Sequence, residues 1–289
     1  MRATNTRFCL SLLACLAAGP ALADGPAAAR SLLANLKAGG QDIGGSLADL
    51  HVSATLVRGV YALYTVPNRL VGFTNEEGTL FGDVKGFNGQ FGTATPFRPL
   101  TLEEAAALRR EMAERIDKTR LITVRYGAGQ MQVFMFSAID CPYCKSIEGK
   151  LRDAKSENST FHVIPSSLQS GRSRQGAQQW QKVAAIWCAA DAAQAWRNYW
   201  ATGMTPAGAE PACPFADPMA AERAYAQLWG MFQGVGVKLT GTPSYLRMDG
   251  TKFTSEALRK PLEPERPARW LGHPQVPAAD AFRPRPVGF

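Results

Sequence analysis

Two cysteines three residues apart, Cys141 and Cys144 in "FSAIDCPYCKSIEGKL" (136–151), lie between an apolar run and a stretch with helical character. Such a pair can cycle between dithiol and disulfide, supply half of a thiolate metal site, or form a structural staple. A cysteine placed where a strand hands over to a helix meets unpaired backbone N–H groups and the positive end of the helix dipole, and both favour its thiolate. On that placement Cys141 is the nucleophile. Cys144, about one helical turn on, is the resolving thiol, able to attack a mixed disulfide on Cys141, close the short bridge and release the partner. Asp140 beside Cys141 should oppose thiolate formation, and Lys145 beside Cys144 should favour it.

Which chemistry is open to the pair depends on the compartment. Residues 1–23 read as a secretory signal peptide: Arg2 and Arg7 form a basic start, "FCLSLLACLAAG" an apolar run too short to span a bilayer, and Ala21-Leu22-Ala23 a cleavage site. "LLAC" at 12–15 also resembles a lipobox, which would make Cys15 a lipidated N-terminus. Cleavage after Ala23 removes Cys9 and Cys15 and leaves four of the six cysteines, Cys141, Cys144, Cys188 and Cys213, for which three disulfide connectivities exist. The formal net charge of +8 falls by two with the leader. No Lys/Arg cluster is interleaved with aromatic residues, so nucleic acid is not expected as a partner.

The elements that must hold the pair follow from periodicity. Residues 24–99 carry a short helical start, "SLLANLKAG", and strand-like runs; "RLVGFTN" and "TLFGDVKGF" flank "NEEG", whose Gly78 suits a hairpin. In "LTLEEAAALRREMAERIDKTR" (100–120) Thr101 with Glu104 fits a capping box, and Ala105, Leu108, Met112 and Ile116 recur at helical spacing, as a linker helix would or a core helix of either neighbour. "MQVFMFSAI", a helix after the cysteines with Ile147, Leu151 and Ala154 on one face, and "TFHVIP" make a βαβ unit with parallel strands. A helical block follows: one run from Ser173 to about 201, then a helix opening at Asp217-Pro218, with a Pro/Gly-rich loop holding Cys213 between them. "GTPSYLRMDGTKFT" reads as a hairpin turning at Asp249-Gly250, and "SEALRKPLE" as a last short helix. The whole is an α+β chain: a small mostly-β domain, a linker helix, and a thioredoxin-like α/β domain (121–262) whose sheet is interrupted by a helical insertion (about 167–233). A tail with six prolines (263–289) completes it.

The same four cysteines could bind zinc, with His51, His162 and His273 as substitutes, but zinc knuckles come as two close pairs and Cys188 and Cys213 lie 25 apart. Those two read better as a structural disulfide that fastens the loop to the long helix, contributing on the order of 3 kcal/mol. No metal and no cofactor is expected. Gly241-Thr242-Pro243 is the other site element: in this topology its loop lies beside the CxxC, and a cis Pro243 would leave backbone groups free to pair with an extended peptide.

At this point the sequence resembles a known family, the periplasmic thiol:disulfide interchange proteins DsbC and DsbG. "CPYCK" looks like the DsbG site, "AAIWCAAD" with Cys213 like the DsbC segment that carries a second disulfide, "GTP" like the cis-proline loop, and "GFTNEEGTLFGDVKGFNG" like the hairpin of the dimerisation domain. The resemblance implies a periplasmic homodimer formed through residues 24–99, with two thioredoxin-like domains facing a cleft for misfolded or sulfenylated exported proteins. It also implies a membrane reductant of the DsbD type, and substrate contacts from Pro142, Tyr143, Thr242 and Pro243. The leading function is a thiol:disulfide isomerase or reductase; the alternatives are a dimeric holdase in which the redox pair is incidental, and an oxidase.

Overall fold

A computed structural model describes residues 25–41, 50–65, 69–83, 89–153 and 158–253. The expected signal peptide, the final short helix at 255–263 and the proline-rich tail lie outside the described residues, as do part of the segment after the first hairpin and Ala154.

Helix α1 (Gly25–Ala38) is followed by six strands, β1 (Leu50–Ala54), β2 (Val60–Thr65), β3 (Arg69–Asn75), β4 (Leu80–Asp83), β5 (Phe91–Ala94) and β6 (Phe97–Pro99). Each pairs antiparallel with the next, in the order 1-2-3-4-5-6. The β3–β4 hairpin turns at Gly78, as the sequence suggests: its φ is 65°, and a Cβ there would run into the α1 backbone at Ser31 and Leu32. This sheet buries both faces. Leu63 and Ala94 meet Ala29, Leu32 and Leu36 of α1, while Ala62, Tyr64, Phe73 and Phe91 turn to the main core. The strand-rich stretch 51–66 is interrupted after Ala54, where Thr55 Oγ1 accepts from the Val57 amide and donates to the Val60 carbonyl.

Helix α2 (Leu102–Arg115) connects the two sheets and opens with the expected capping box, Thr101 and Glu104 each bonding the other's backbone. Arg98 adds a 2.7 Å ion pair to Glu104, and its hydrogen bonds hold that carboxylate down at about 2. Leu108, Met112 and Ala113 are buried in the main core. Ile116 bridges Val57 on one side, and on the other Arg109 packs on the turn glycine Gly250.

The second sheet comprises β7 (Ile122–Arg125), β8 (Met131–Ala138), β9 (Ser159–Ser166), β10 (Ser244–Leu246) and β11 (Lys252–Phe253), in the order β11-β10-β8-β9-β7. Strands β8 and β9 are parallel and joined by α3 (Pro142–Asp153); β10 and β11 form the antiparallel return. That is the thioredoxin-like arrangement, with β7 added antiparallel along β9. Between β9 and β10 come α4 (Arg174–Trp187), α5 (Ala192–Thr202) and α6 (Pro218–Gly234).

The uninterrupted helix expected from 173 to 201 is two helices. Cys188 is the C-cap of α4 and Asp191 the N-cap of α5, accepting from the Gln194 amide at 2.9 Å. The break is a capping event, since a carboxylate that accepts from the third amide of a new helix competes with continuing the old one. Helix α6 opens at Asp217 with Pro218 at N1, as expected. It lies between the two sheets. Tyr225, Trp229 and Phe232 set their rings against Phe136 of β8, while Gln227 donates to Tyr64 Oη at 2.7 Å and Gly234 abuts Phe91.

Candidate functional site

Strand β8 ends at Ala138, and the chain turns through Ile139 and Asp140 to deliver Cys141 at the position before the first helical residue of α3. The helix starts there because Pro142 supplies no amide where none can be used and fixes φ for the first turn. Cys141 takes the capping role that serine or aspartate usually fills: the Cys144 amide donates to its sulfur at 3.4 Å. Both thiols are free and covered, with relative exposures of 4% for Cys141 and 1% for Cys144. Pro142 and Tyr143 stand on the surface beside them, Tyr143 78% exposed.

The expected partner loop is in place. The Thr242–Pro243 peptide is cis, and the Cys141 thiol donates to the Thr242 carbonyl at 3.3 Å across 101 residues of sequence. This loop lines a cleft of about 330 Å³ with Thr240, Gly241, Ser244, Tyr245, Lys252 and Phe253. The Thr242 hydroxyl and the Tyr245 hydroxyl are buried with no hydrogen-bond partner among the described residues, as are the Ser137 hydroxyl and the Trp200 indole N–H.

The two thiols are unequal. Burial works against a thiolate at Cys141, but hydrogen bonding from the Cys144 amide and thiol and from the Tyr143 amide outweighs it, so its pKa lies below that of an ordinary thiol. Cys144 is deeper and gains less, and burial pushes it up to about 12. Asp140 is engaged elsewhere: its carboxylate accepts from Ser167 Oγ and the Leu168 amide, both at 2.8 Å, and so pins the β9–α4 loop.

Cys188 and Cys213 are bonded to each other, which leaves no four-thiolate set for zinc. His162, considered as a substitute ligand, is buried in β9 between Thr123 and Gln132, and burial with the nearby Lys118 charge lowers it to about 4.

Two features of the site have no counterpart in the sequence motifs. Trp200 of α5 packs on Ala138, Cys141 and Cys144, and Tyr199 Oη donates to the Ile139 carbonyl at 3.0 Å. Glu148, one turn after Cys144 on α3, is 4% exposed and accepts from Trp196 Nε1 at 3.0 Å and from Tyr126 Oη at 3.3 Å. Burial raises this carboxyl to about 7. The i,i+4 spacing of Cys144 and Glu148 is a signal the sequence carries; the reach of Trp200 to the thiols is not.

No family model and no curated protein matches this sequence. Among solved structures, the chain is similar to a disulfide interchange protein from Neisseria gonorrhoeae, with 24% identity over 50% of this chain and 96% of that one at a TM-score of 0.36. It is also similar to the catalytic domain of Proteus mirabilis ScsC, with 15% identity over 54% of this chain and 94% of that one at a TM-score of 0.34. No helix among the described residues is long and apolar enough to cross a membrane.

Proposed function

We propose that this chain is a thiol:disulfide oxidoreductase acting on exported proteins, with Cys141 as the attacking thiol and Cys144 as the resolving one. The observation that carries the reading is the inequality of the two thiols: Cys141 caps α3 and accepts the Cys144 amide, while Cys144 is held protonated beneath it. The Cys141 thiolate attacks a substrate disulfide R–S–S–R′, forming Cys141–S–S–R and releasing R′ as a thiolate. Two exits follow. In isomerisation a second thiolate of the substrate attacks the R sulfur, a new substrate disulfide forms, Cys141 leaves as thiolate, and no net electrons move. In reduction Cys144 loses its proton and attacks Cys141 Sγ, R leaves as a thiolate, and the Cys141–Cys144 disulfide must be reduced again by a dithiol donor.

Burial disfavours the thiolate of the resolving cysteine, which slows its attack on a mixed disulfide and leaves that sulfur open to the substrate's own thiols. That supports isomerase work over net reduction. The resemblance to DsbC and DsbG supplies the rest of the proposal: a periplasmic location, pairing of two chains through residues 24–99, re-reduction by a DsbD-type membrane donor, and misfolded or sulfenylated exported proteins as clients. Pro142 and Tyr143, which are exposed beside the thiols, and the Thr242–Pro243 loop, which lines the open cleft, would contact the client chain.

The test is reactivation of scrambled ribonuclease and reduction of insulin by the full chain and its variants. Cys141→Ser should abolish both. Cys144→Ser should keep some isomerisation, lose insulin turnover and accumulate a mixed disulfide on Cys141; an unchanged insulin rate in Cys141→Ser would sink the reading.

A further inference from the structure

Helix α5 touches the active-site segment at three heights. Tyr199 Oη bonds the Ile139 carbonyl just before the dithiol, Trp200 packs on the cluster formed by Ala138, Cys141 and Cys144, and Trp196 Nε1 bonds Glu148 after them. The whole of α5 also lies inside the loop closed by the Cys188–Cys213 disulfide. Cys188 ends α4 immediately before α5, and the chain leaving α5 at Gly203 returns to it: the Glu210 amide donates to the Cys188 carbonyl at 2.9 Å, and Cys213 follows. Trp200 sits in the last turn of α5, where the chain begins that return, and its indole N–H is buried without an acceptor among the described residues. Hydrogen bonds tie α5 to other elements at Trp196, Arg197 and Tyr199, all of which precede it.

We propose that α5 is a positioning element for the dithiol, and that the Cys188–Cys213 disulfide acts on Cys141 by holding Trp200 over it. The bland alternative is a disulfide that only stabilises the fold, and the two differ in what they do to Cys141. Freeing Trp200 exposes a thiol that is now 4% accessible and relieves the burial that opposes its thiolate, so both effects raise its reactivity. Neither effect reaches Cys144 in the same way, since it is the deeper of the two.

The inference rests on the reading of Cys141 as the attacking thiol, yet its test does not use turnover. After mild reduction that leaves the 188–213 bond in place, as checked by intact mass, iodoacetamide alkylation of Cys141 and Cys144 is followed separately by mass spectrometry from pH 5 to 10. Trp200→Ala should alkylate Cys141 about tenfold faster at pH 7 and shift the midpoint of its pH profile down, with Cys144 still slow. The pair Cys188→Ala/Cys213→Ala should move the rate and midpoint in the same direction by about threefold or more, and adding Trp200→Ala to it should give no more than Trp200→Ala alone. Should the cysteine pair not fold, Tyr199→Phe with the disulfide intact supplies the same test at about twofold. A Cys141 profile unchanged by Trp200→Ala, fully additive effects, or equal gains at both thiols would overturn the inference, the last because it signals general loosening. Retained insulin reduction in Cys141→Ser would instead refute the functional reading and leave these alkylation results to stand by themselves.

Discussion

Glu148→Gln tests the electrostatics under the dithiol quantitatively. The carboxyl is 4% exposed and, among the described residues, accepts from Trp196 Nε1 and Tyr126 Oη, and burial raises it from 4.5 to about 7. Between those values the folded chain holds a proton that the unfolded chain has lost, and stability must fall as pH rises. At about 1.4 kcal/mol per pH unit the loss is about 3 kcal/mol, complete by roughly pH 7.5. His162 works in the opposite direction: lowered from 6.5 to about 4, it leaves the unfolded chain with more protons bound, so its contribution is present above pH 6.5 and lost as pH falls toward 4. The two slopes nearly cancel, so the wild-type profile alone would conceal both. Urea unfolding of wild type and Glu148→Gln from pH 4.5 to 8.5, plotted as a difference, isolates the carboxyl. Glutamine keeps an acceptor for Trp196 and can donate to Tyr126, so the variant should gain on the wild type by about 3 kcal/mol across this range, with the variant's own stability now rising with pH. Parallel profiles would refute the assignment of a buried, upshifted carboxyl at 148.

Three further changes probe how the N-terminal sheet is seated on α6. Gly230→Ala should stabilise by up to about 1 kcal/mol in thermal or urea unfolding, because a methyl there meets Phe73 only at 3.8 Å and removes a helix-interior glycine. Gly234→Ala should destabilise, since the same methyl would lie 2.8 Å from the Phe91 ring and 3.1 Å from the Gly89 carbonyl; equal effects at the two positions would mean that Phe91 is not where it is placed. Gln227→Leu removes the buried 2.7 Å bond to Tyr64 and strands its hydroxyl, with an expected loss of about 1–3 kcal/mol by urea unfolding. A variant as stable as wild type would show that this contact is not formed in solution.

How much of this could be read from residues alone depends on whether the signal is local. The strand-to-helix handover at Cys141, the capping box at Thr101, Pro218 at N1 of α6 and the Gly78 and Gly250 turns are all specified by neighbours a few residues apart, and they form as the sequence suggests. Strand β7 has no distinct sequence signal although its alternation is regular, Ile122 and Val124 in, Thr123 and Arg125 out, because four residues give too short a period to stand out. The β5–β6 hairpin around Thr95-Pro96 turns without a glycine to mark it. The split between α4 and α5 is silent for a different reason: "WCAADAAQ" has no glycine or proline, and the stop comes from Asp191 capping forward onto Gln194. What no local pattern contains is the approach of Trp200 to the thiol cluster or the pairing of Trp196 with Glu148, since both depend on where a helical insertion folds back.

The position of α6 connects these parts. Its residues 227, 230 and 234 share one face and receive Tyr64, Phe73 and Phe91 from the N-terminal sheet, while 225, 229 and 232 share another and receive Phe136 from β8. A helix apolar on two faces has to be covered on both, and here one cover is the strand that ends at the dithiol. Seven residues after α6 the chain reaches Gly241, followed by the Thr242 carbonyl that accepts from Cys141. The N-terminal sheet is thus joined to the loop beside Cys141 through a single helix and a short connection, so a change at the sheet–α6 contact can reach the Thr242 carbonyl without touching α3.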